Sequence, residues 1–177
     1  MAVGEVRPGY ELWRPNREKP ESATTKWIVV LLLLASAVVA AIVTIGGFSL
    51  LEGGIGMGLL CILYVLLYVL FAFLVARWSR GILPVAAASA ILLLIFCAVA
   101  APSWFSRDKA GFDEALIPVE LLGLLVIILI PLQVLLIAVA MIAFNQEWHV
   151  EEERAIGSGE DYGAGAPPPD ERGVQPA

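Results

Sequence analysis

Glu120 is the only charged residue within the long apolar stretches of this 177-residue sequence, and it is the first candidate for chemistry. Ionisable side chains inside a membrane commonly serve as proton relays or ion ligands. However, Pro118 lies two residues earlier and suits the first turn of a helix, where the positive helix end stabilises an acid. We therefore favour helix-end stabilisation for Glu120 over a transport role.

Gln133 and Pro131 provide the polarity and irregularity deeper in the same stretch. An interior proline frees a backbone carbonyl and tends to kink a helix, and a buried amide seeks hydrogen bonds across a bundle. Two interpretations follow, a transport site or a kink held by one amide. We favour the kink, because no other apolar stretch has an ionisable group at mid-membrane depth with which to form a relay.

Cys61 and Cys97 are the only two cysteines, and a hairpin centred on Ser79 places them at the same depth. A disulfide would form if their α-carbons approached within roughly 4.4–6.8 Å. Cysteines in membrane helices more often pack as small buried apolar residues, and two thiols provide half of the usual four zinc ligands. We favour packing over a bonded pair.

His149 is the only histidine, which excludes paired-histidine haem ligation and a facial metal triad within one chain. Asn145, His149 and Glu153 share a helical face, but they lack the converging ligands of a tight metal site. No phosphate-binding loop, nucleophile elbow or zinc-protease helix is present in the sequence. We expect no catalytic residue, no cofactor and no metal.

Four apolar segments must position these residues: 27–51, 57–76, 82–102 and 116–145. Each is about 20 residues or longer, which lets a helix cross a hydrocarbon layer of roughly 30 Å. The chain is 59% hydrophobic and 16% charged, whereas a soluble domain is about 25% charged. The sequence predicts an all-α integral membrane four-helix bundle over residues 27–148, with short antiparallel connections.

The flanking segments are residues 1–26, a charged leader, and residues 149–177, an acidic tail. The tail cannot bury enough apolar surface to offset chain entropy, so we expect it to be disordered. For the leader around Trp13 we favour disorder over a surface-lying or partner-binding segment. Ala35-Ser36-Ala37 resembles a signal-peptide cleavage site, but the apolar run continues to Leu51 and favours an uncleaved first span.

Basic residues predict the orientation, because they concentrate in cytoplasmic segments. The leader contains five, the second connection contains Arg77 and Arg80, and the tail begins with Arg154. Arg107 and Lys109 in the third connection oppose this pattern. We expect a multi-pass protein of the cell membrane with both termini in the cytoplasm.

Tryptophans stand at the segment borders, where their rings commonly anchor in the headgroup layer. They are Trp27, Trp78, Trp104 and Trp148. We interpret all four as interfacial anchors.

The short connection between the second and third segments predicts that these helices pack face to face. Tyr64, Tyr68 and Phe71 then lie against the alanine-rich run of the third segment, with Ser89 as the partner of the Tyr68 hydroxyl. We favour core packing for these rings over an aromatic cofactor slot. The nearby Gly54-x-x-x-Gly58 spacing could indicate close helix crossing, but at a border we favour a flexible turn.

The net charge of −6 arises mostly from the tail and argues against nucleic-acid binding. Because the spans contain so little polar chemistry, we expect a non-catalytic small subunit or scaffold of a membrane complex. Its partners would be the lipid bilayer and larger membrane subunits or further copies of itself. A small homo-oligomeric transporter or channel using Glu120 and Gln133 is the alternative, and a membrane enzyme acting on a lipid ranks third.

Overall fold

The computed structural model describes residues 10–51, 54–106 and 116–155. Four long helices dominate it: α2 (Pro20–Gly46), α3 (Gly54–Ala76), α4 (Ile82–Trp104) and α5 (Val119–Asn145). All four are long and apolar enough to cross a membrane. The fold confirms the helical membrane bundle, and the chain is a multi-pass membrane protein.

The helix bounds follow local sequence signals. α2 begins at Pro20, before the apolar run, because proline suits the first helical turn and the residues after it continue the helix. It ends at Gly46 and is followed by a short 3-10 turn, Phe48–Leu50. α5 begins after Pro118, which is its N-cap residue, and continues through Pro131 to Asn145.

Of the four pairs of neighbouring long helices, three pack extensively: α4 against α5, α2 against α3, and α2 against α5. α3 and α4 also contact each other, but much less than the other three pairs, so the extensive face-to-face packing predicted for the second and third segments is not found. The small residues Ala86 and Ala90 of α4 belong to one buried cluster with Tyr68 and Phe71 of α3 and with Leu136 and Ala143 of α5. A short turn fixes the direction of the next helix, but side-chain fit decides which neighbour it packs against.

We call the end of the bundle where α2 begins and α5 ends the terminal end, and the opposite end the connection end. A small antiparallel ribbon covers the terminal end, formed by β1 (Tyr10–Trp13) and β2 (Glu152–Ala155), followed in the leader by the one-turn helix α1 (Pro15–Glu18). The disorder predicted for the leader around Trp13 and for the start of the tail is therefore wrong. The rest of the predicted disordered tail, residues 156–177, lies outside the described residues.

Glycines at the connection end allow rings to approach the backbone. A β-carbon added to Gly47 would lie 2.5 Å from the Trp104 ring, and one added to Gly58 would lie 2.3 Å from the Phe48 ring. Gly54, by contrast, has a φ of +60° and begins α3. The turn predicted for Gly54 and Gly58 is therefore wrong, because both residues lie in α3, and Gly58 is a site of close packing.

Large apolar side chains are exposed along every long helix, for example Leu31, Leu66, Val99 and Leu135. Such extensive apolar exposure is unusual for a soluble monomer. It is the surface that lipid chains would cover.

Candidate functional site

The most polar point of the bundle core is Gln133 on α5, whose side chain is fully buried. Its Nε2 donates to Ser36 Oγ on α2 at 3.0 Å, and its Oε1 accepts from the Tyr68 hydroxyl on α3 at 2.8 Å. Ser36 and Tyr68 are also buried. We call these three residues the central triad, and it joins three helices through one amide.

The local sequence explains how the triad assembles. Ser36 lies next to Ala37, which is also buried, so α2 presents small side chains toward the core. Tyr64 and Tyr68 share one face of α3, with ring centroids 5.9 Å apart. This face turns its Tyr68 hydroxyl toward α5, where Gln133 accepts its hydrogen bond.

The predicted bond between Tyr68 and Ser89 is wrong. The Ser89 hydroxyl donates to the Val85 carbonyl of its own helix at 2.9 Å. The Ser89 carbonyl instead accepts from the Tyr64 hydroxyl at 3.2 Å. Sequence reasoning missed Ser36 as a functional position, although a lone serine deep in an apolar segment is a reasonable partner for a buried amide.

Glu120 lies in the first turn of α5 and its side chain is exposed. Gln133 comes thirteen residues later on the same helix, which corresponds to roughly 20 Å along the axis. The structure therefore does not bring these two candidate residues together. Pro131 is exposed while Gln133 is buried, so they face different sides of α5.

Cys61 and Cys97 are free cysteines, half-buried and buried respectively. Cys97 belongs to the apolar core at the connection end, together with Trp104 and Val126. In this structure the two cysteines do not form a disulfide.

A second polar region lies at the terminal end, where cations meet aromatic rings. The rings of Trp78 and Trp148 form an edge-to-face pair with centroids 5.1 Å apart. The Lys26 Nζ lies 4.2 Å from the Trp78 centroid and 4.6 Å from the Trp27 centroid. The Arg17 guanidinium carbon lies 5.8 Å from the Trp78 centroid. We call these five residues the cation–ring cluster.

The anchoring interpretation fails for two of the border tryptophans. Trp148 is fully buried and Trp104 is 3% exposed, so neither ring reaches a headgroup layer. Trp27 is 53% exposed and remains available for such a role. The difference arises because sequence position fixes the depth of a ring but not whether neighbouring helices enclose it.

Backbone carbonyls at and after the end of α5 are bonded by side chains from elsewhere in the chain. The Nε of Arg17 donates to the Trp148 carbonyl at 3.0 Å, and the Nε of Arg80 donates to the Phe144 carbonyl at 2.9 Å. Arg80 also lies 2.9 Å from His149 Nδ1. His149 therefore faces a cation, and the described residues contain no group of three or more potential metal ligands.

Exposed ion pairs connect the leader to the start of the tail. Arg154 bonds Glu11 across the ribbon at 2.8 Å, and Arg14 bonds Glu151. Exposed pairs of this kind contribute little individually, typically about 0.2–1 kcal/mol. Together with the ribbon hydrogen bonds they hold both flanking segments over the terminal end.

An open groove on the outer side of α2 near the connection end is almost entirely apolar. It is lined by Val38, Ala41, Ile42, Ile45, Gly46 and Ile117. It offers no polar group with which to orient a substrate.

No family model, curated protein or solved structure matches the chain significantly.

Proposed function

We propose that the chain is a non-catalytic small subunit or scaffold of a membrane complex, in association with larger subunits or further copies of itself. The observation that supports this most is the central triad, in which Gln133 bonds Ser36 and Tyr68 rather than facing an open site. Interhelical hydrogen bonds of this kind hold membrane helices together. The buried polarity is thus engaged in assembling the bundle.

The transporter alternative has less support. Glu120 is exposed at the connection end, and Gln133 is buried about 20 Å away with both ends of its amide bonded. An enzyme acting on a lipid would need a nucleophile beside a base. Among the described residues, the buried polar or charged side chains are Ser22, Lys26, Ser36, Thr44 and Gln133, and this set contains no carboxylate or imidazole.

We further propose that both termini are cytoplasmic and that the host membrane is the cell membrane. Every lysine and arginine among the described residues lies at the terminal end. They are Arg14, Arg17, Lys19, Lys26, Arg77, Arg80 and Arg154. A basic end of this kind is retained in the cytoplasm during insertion.

The test is purification of tagged protein, expressed at its native level, in a mild detergent, followed by native mass spectrometry. We expect a defined assembly larger than the 19.0 kDa monomer, with fixed stoichiometry. A denaturing detergent serves as the control, because it should release the monomer. Recovery of the monomer alone in the mild detergent would contradict the proposal.

A liposome flux assay addresses the alternative, with Glu120→Gln and Gln133→Leu compared with the original chain. Under our proposal all three preparations give the flux of empty liposomes. Flux above this background that either substitution abolishes would favour the transporter.

A further inference from the structure

Lys26 differs from every other basic residue that the structure describes, because its side chain is almost completely covered. The residue is 7% exposed, whereas the remaining described lysines and arginines are half-buried or exposed. An ammonium group has three N–H donors. Burying a charge is costly unless it is paired and hydrogen-bonded.

No oxygen of the described residues accepts a hydrogen bond from Lys26, and no described carboxylate pairs with it. Its contacts are the faces of Trp27 and Trp78, at 4.6 and 4.2 Å. Ring faces attract a cation electrostatically, but they replace only part of the hydration that the ammonium group has lost. An oxygen acceptor from outside the described chain would complete its coordination.

One of the two rings over which Lys26 lies belongs to a residue with an unusual backbone conformation. Trp78 has a φ of 65°, and Glu147, directly before Trp148, has a φ of 50°. Among the described residues these are the only non-glycine positions with positive φ. Such conformations persist where the surrounding structure enforces them, and they concentrate at functional sites. Of these two positions, Trp78 lies beside the ammonium group, with its ring centroid 4.2 Å from Lys26 Nζ.

The depth of the cluster indicates which acceptor is available. Lys26 lies at the point where α2 enters its apolar run, and the adjacent Trp27 is 53% exposed. Arg77 is exposed and directly precedes Trp78, and Arg17 lies over the Trp78 ring. At the border of a bilayer, the anionic oxygens that meet basic residues are those of phospholipid headgroups.

We propose that Lys26 binds a phosphate anion, donating from Nζ to a phosphate oxygen, at a site bordered by Trp27 and the turn between α3 and α4. Arg77 provides a second positive charge at this turn. The membrane source of this anion is a phospholipid headgroup, and the soluble source is free phosphate. The site makes no use of the central triad and is independent of the proposed scaffold function.

The test measures lipid retention by native mass spectrometry after reconstitution in nanodiscs that contain phosphatidylglycerol. Lys26→Gln removes the charge and one of the three donors, and we expect its affinity for the lipid to fall about tenfold. Lys19→Gln is the matched control, because Lys19 is exposed and bonds Asn16. This control should retain the lipid like the original chain. Equal retention by Lys26→Gln and Lys19→Gln would overturn the proposal.

Two further measurements keep the proposal testable if Lys26→Gln fails to fold. Lys26→Arg keeps the charge and should retain the lipid. On the unmodified chain, diacylglycerol, which has the acyl chains without the phosphate, should be retained at least tenfold less than phosphatidylglycerol. Equal retention of these two lipids would overturn the proposal without any variant.

Inorganic phosphate distinguishes the source of the anion. In lipid-free detergent, a rise in the unfolding temperature on adding phosphate, but not on adding chloride at equal ionic strength, would assign free phosphate to the site. No difference between the two salts, together with selective retention of phosphatidylglycerol, would assign the lipid headgroup. No difference and no selective retention would overturn the proposal.

Discussion

The amide of Gln133 bonds hydroxyl groups at both of its ends, so its removal leaves Ser36 and Tyr68 without a partner in the core. We predict that Gln133→Leu lowers the free energy of unfolding by about 1–2 kcal/mol. The reason is that two buried hydroxyl groups lose their hydrogen bonds at once. Reversible unfolding in mixed micelles, followed by circular dichroism, measures the change.

Tyr68→Phe is the matched control for this prediction, because it removes one of the two bonds and keeps the ring. Its expected cost is roughly 0.6 kcal/mol, the average for hydrogen bonds between membrane helices. In the double variant the two losses should not add, since both remove the same bond. Fully additive losses would contradict a shared bond between Gln133 and Tyr68.

At the residue scale, sequence reasoning identified Gln133 as a buried amide that bonds across the bundle, which the structure bears out. It did not identify Ser36, because that serine was considered only as part of a small-residue triplet. It also assigned Tyr68 to Ser89, because the assignment depended on the helix neighbour. The partner of a buried polar group is fixed by tertiary packing, which residue type and depth alone do not determine.

At the scale of helices, Gly47 follows α2 and lies against the buried ring of Trp104. We predict that Gly47→Ala lowers the free energy of unfolding by about 1–3 kcal/mol, because its β-carbon would lie 2.5 Å from that ring. Gly56→Ala is the control, since nothing lies within 4 Å of the position of its β-carbon. Gly56 is inside α3, so alanine there should raise stability by roughly 0.5–1 kcal/mol.

The same unfolding measurement applies to both glycine variants. A Gly47→Ala variant as stable as Gly56→Ala would mean that Trp104 can move away at little cost. The close approach would then contribute little to the packing of the connection end.

The helices themselves could be predicted from sequence, because about 20 consecutive apolar residues are sufficient for a spanning helix. The ribbon of β1 and β2 could not be predicted from sequence. β2 contains two glutamates and an alanine, which have low strand propensity, and its partner β1 lies at the other end of the chain. Pairing of this kind depends on the bundle first bringing both segments to the same end.

At the scale of the whole molecule, the two ends of the bundle should be accessible from opposite sides of the membrane. We predict that Leu116→Cys, at an exposed position at the connection end, reacts in intact cells with a maleimide that cannot cross membranes. Lys19→Cys, at the terminal end, should react only after lysis. Both variants are made with Cys61→Ala and Cys97→Ala, so that only the introduced thiol is labelled. The reverse pattern would contradict the proposed cytoplasmic termini.

The antiparallel ribbon also determines how the molecule would respond to tension. Tyr10 pairs with Ala155 and Trp13 with Glu152, so the outer ends of both strands lie at the same end of the ribbon. A force pulling these ends apart would load and break the hydrogen-bonded pairs one after another, beginning with Tyr10 and Ala155. The ribbon would therefore open at low force, while α2 and α5 remained unloaded until its last pair had separated.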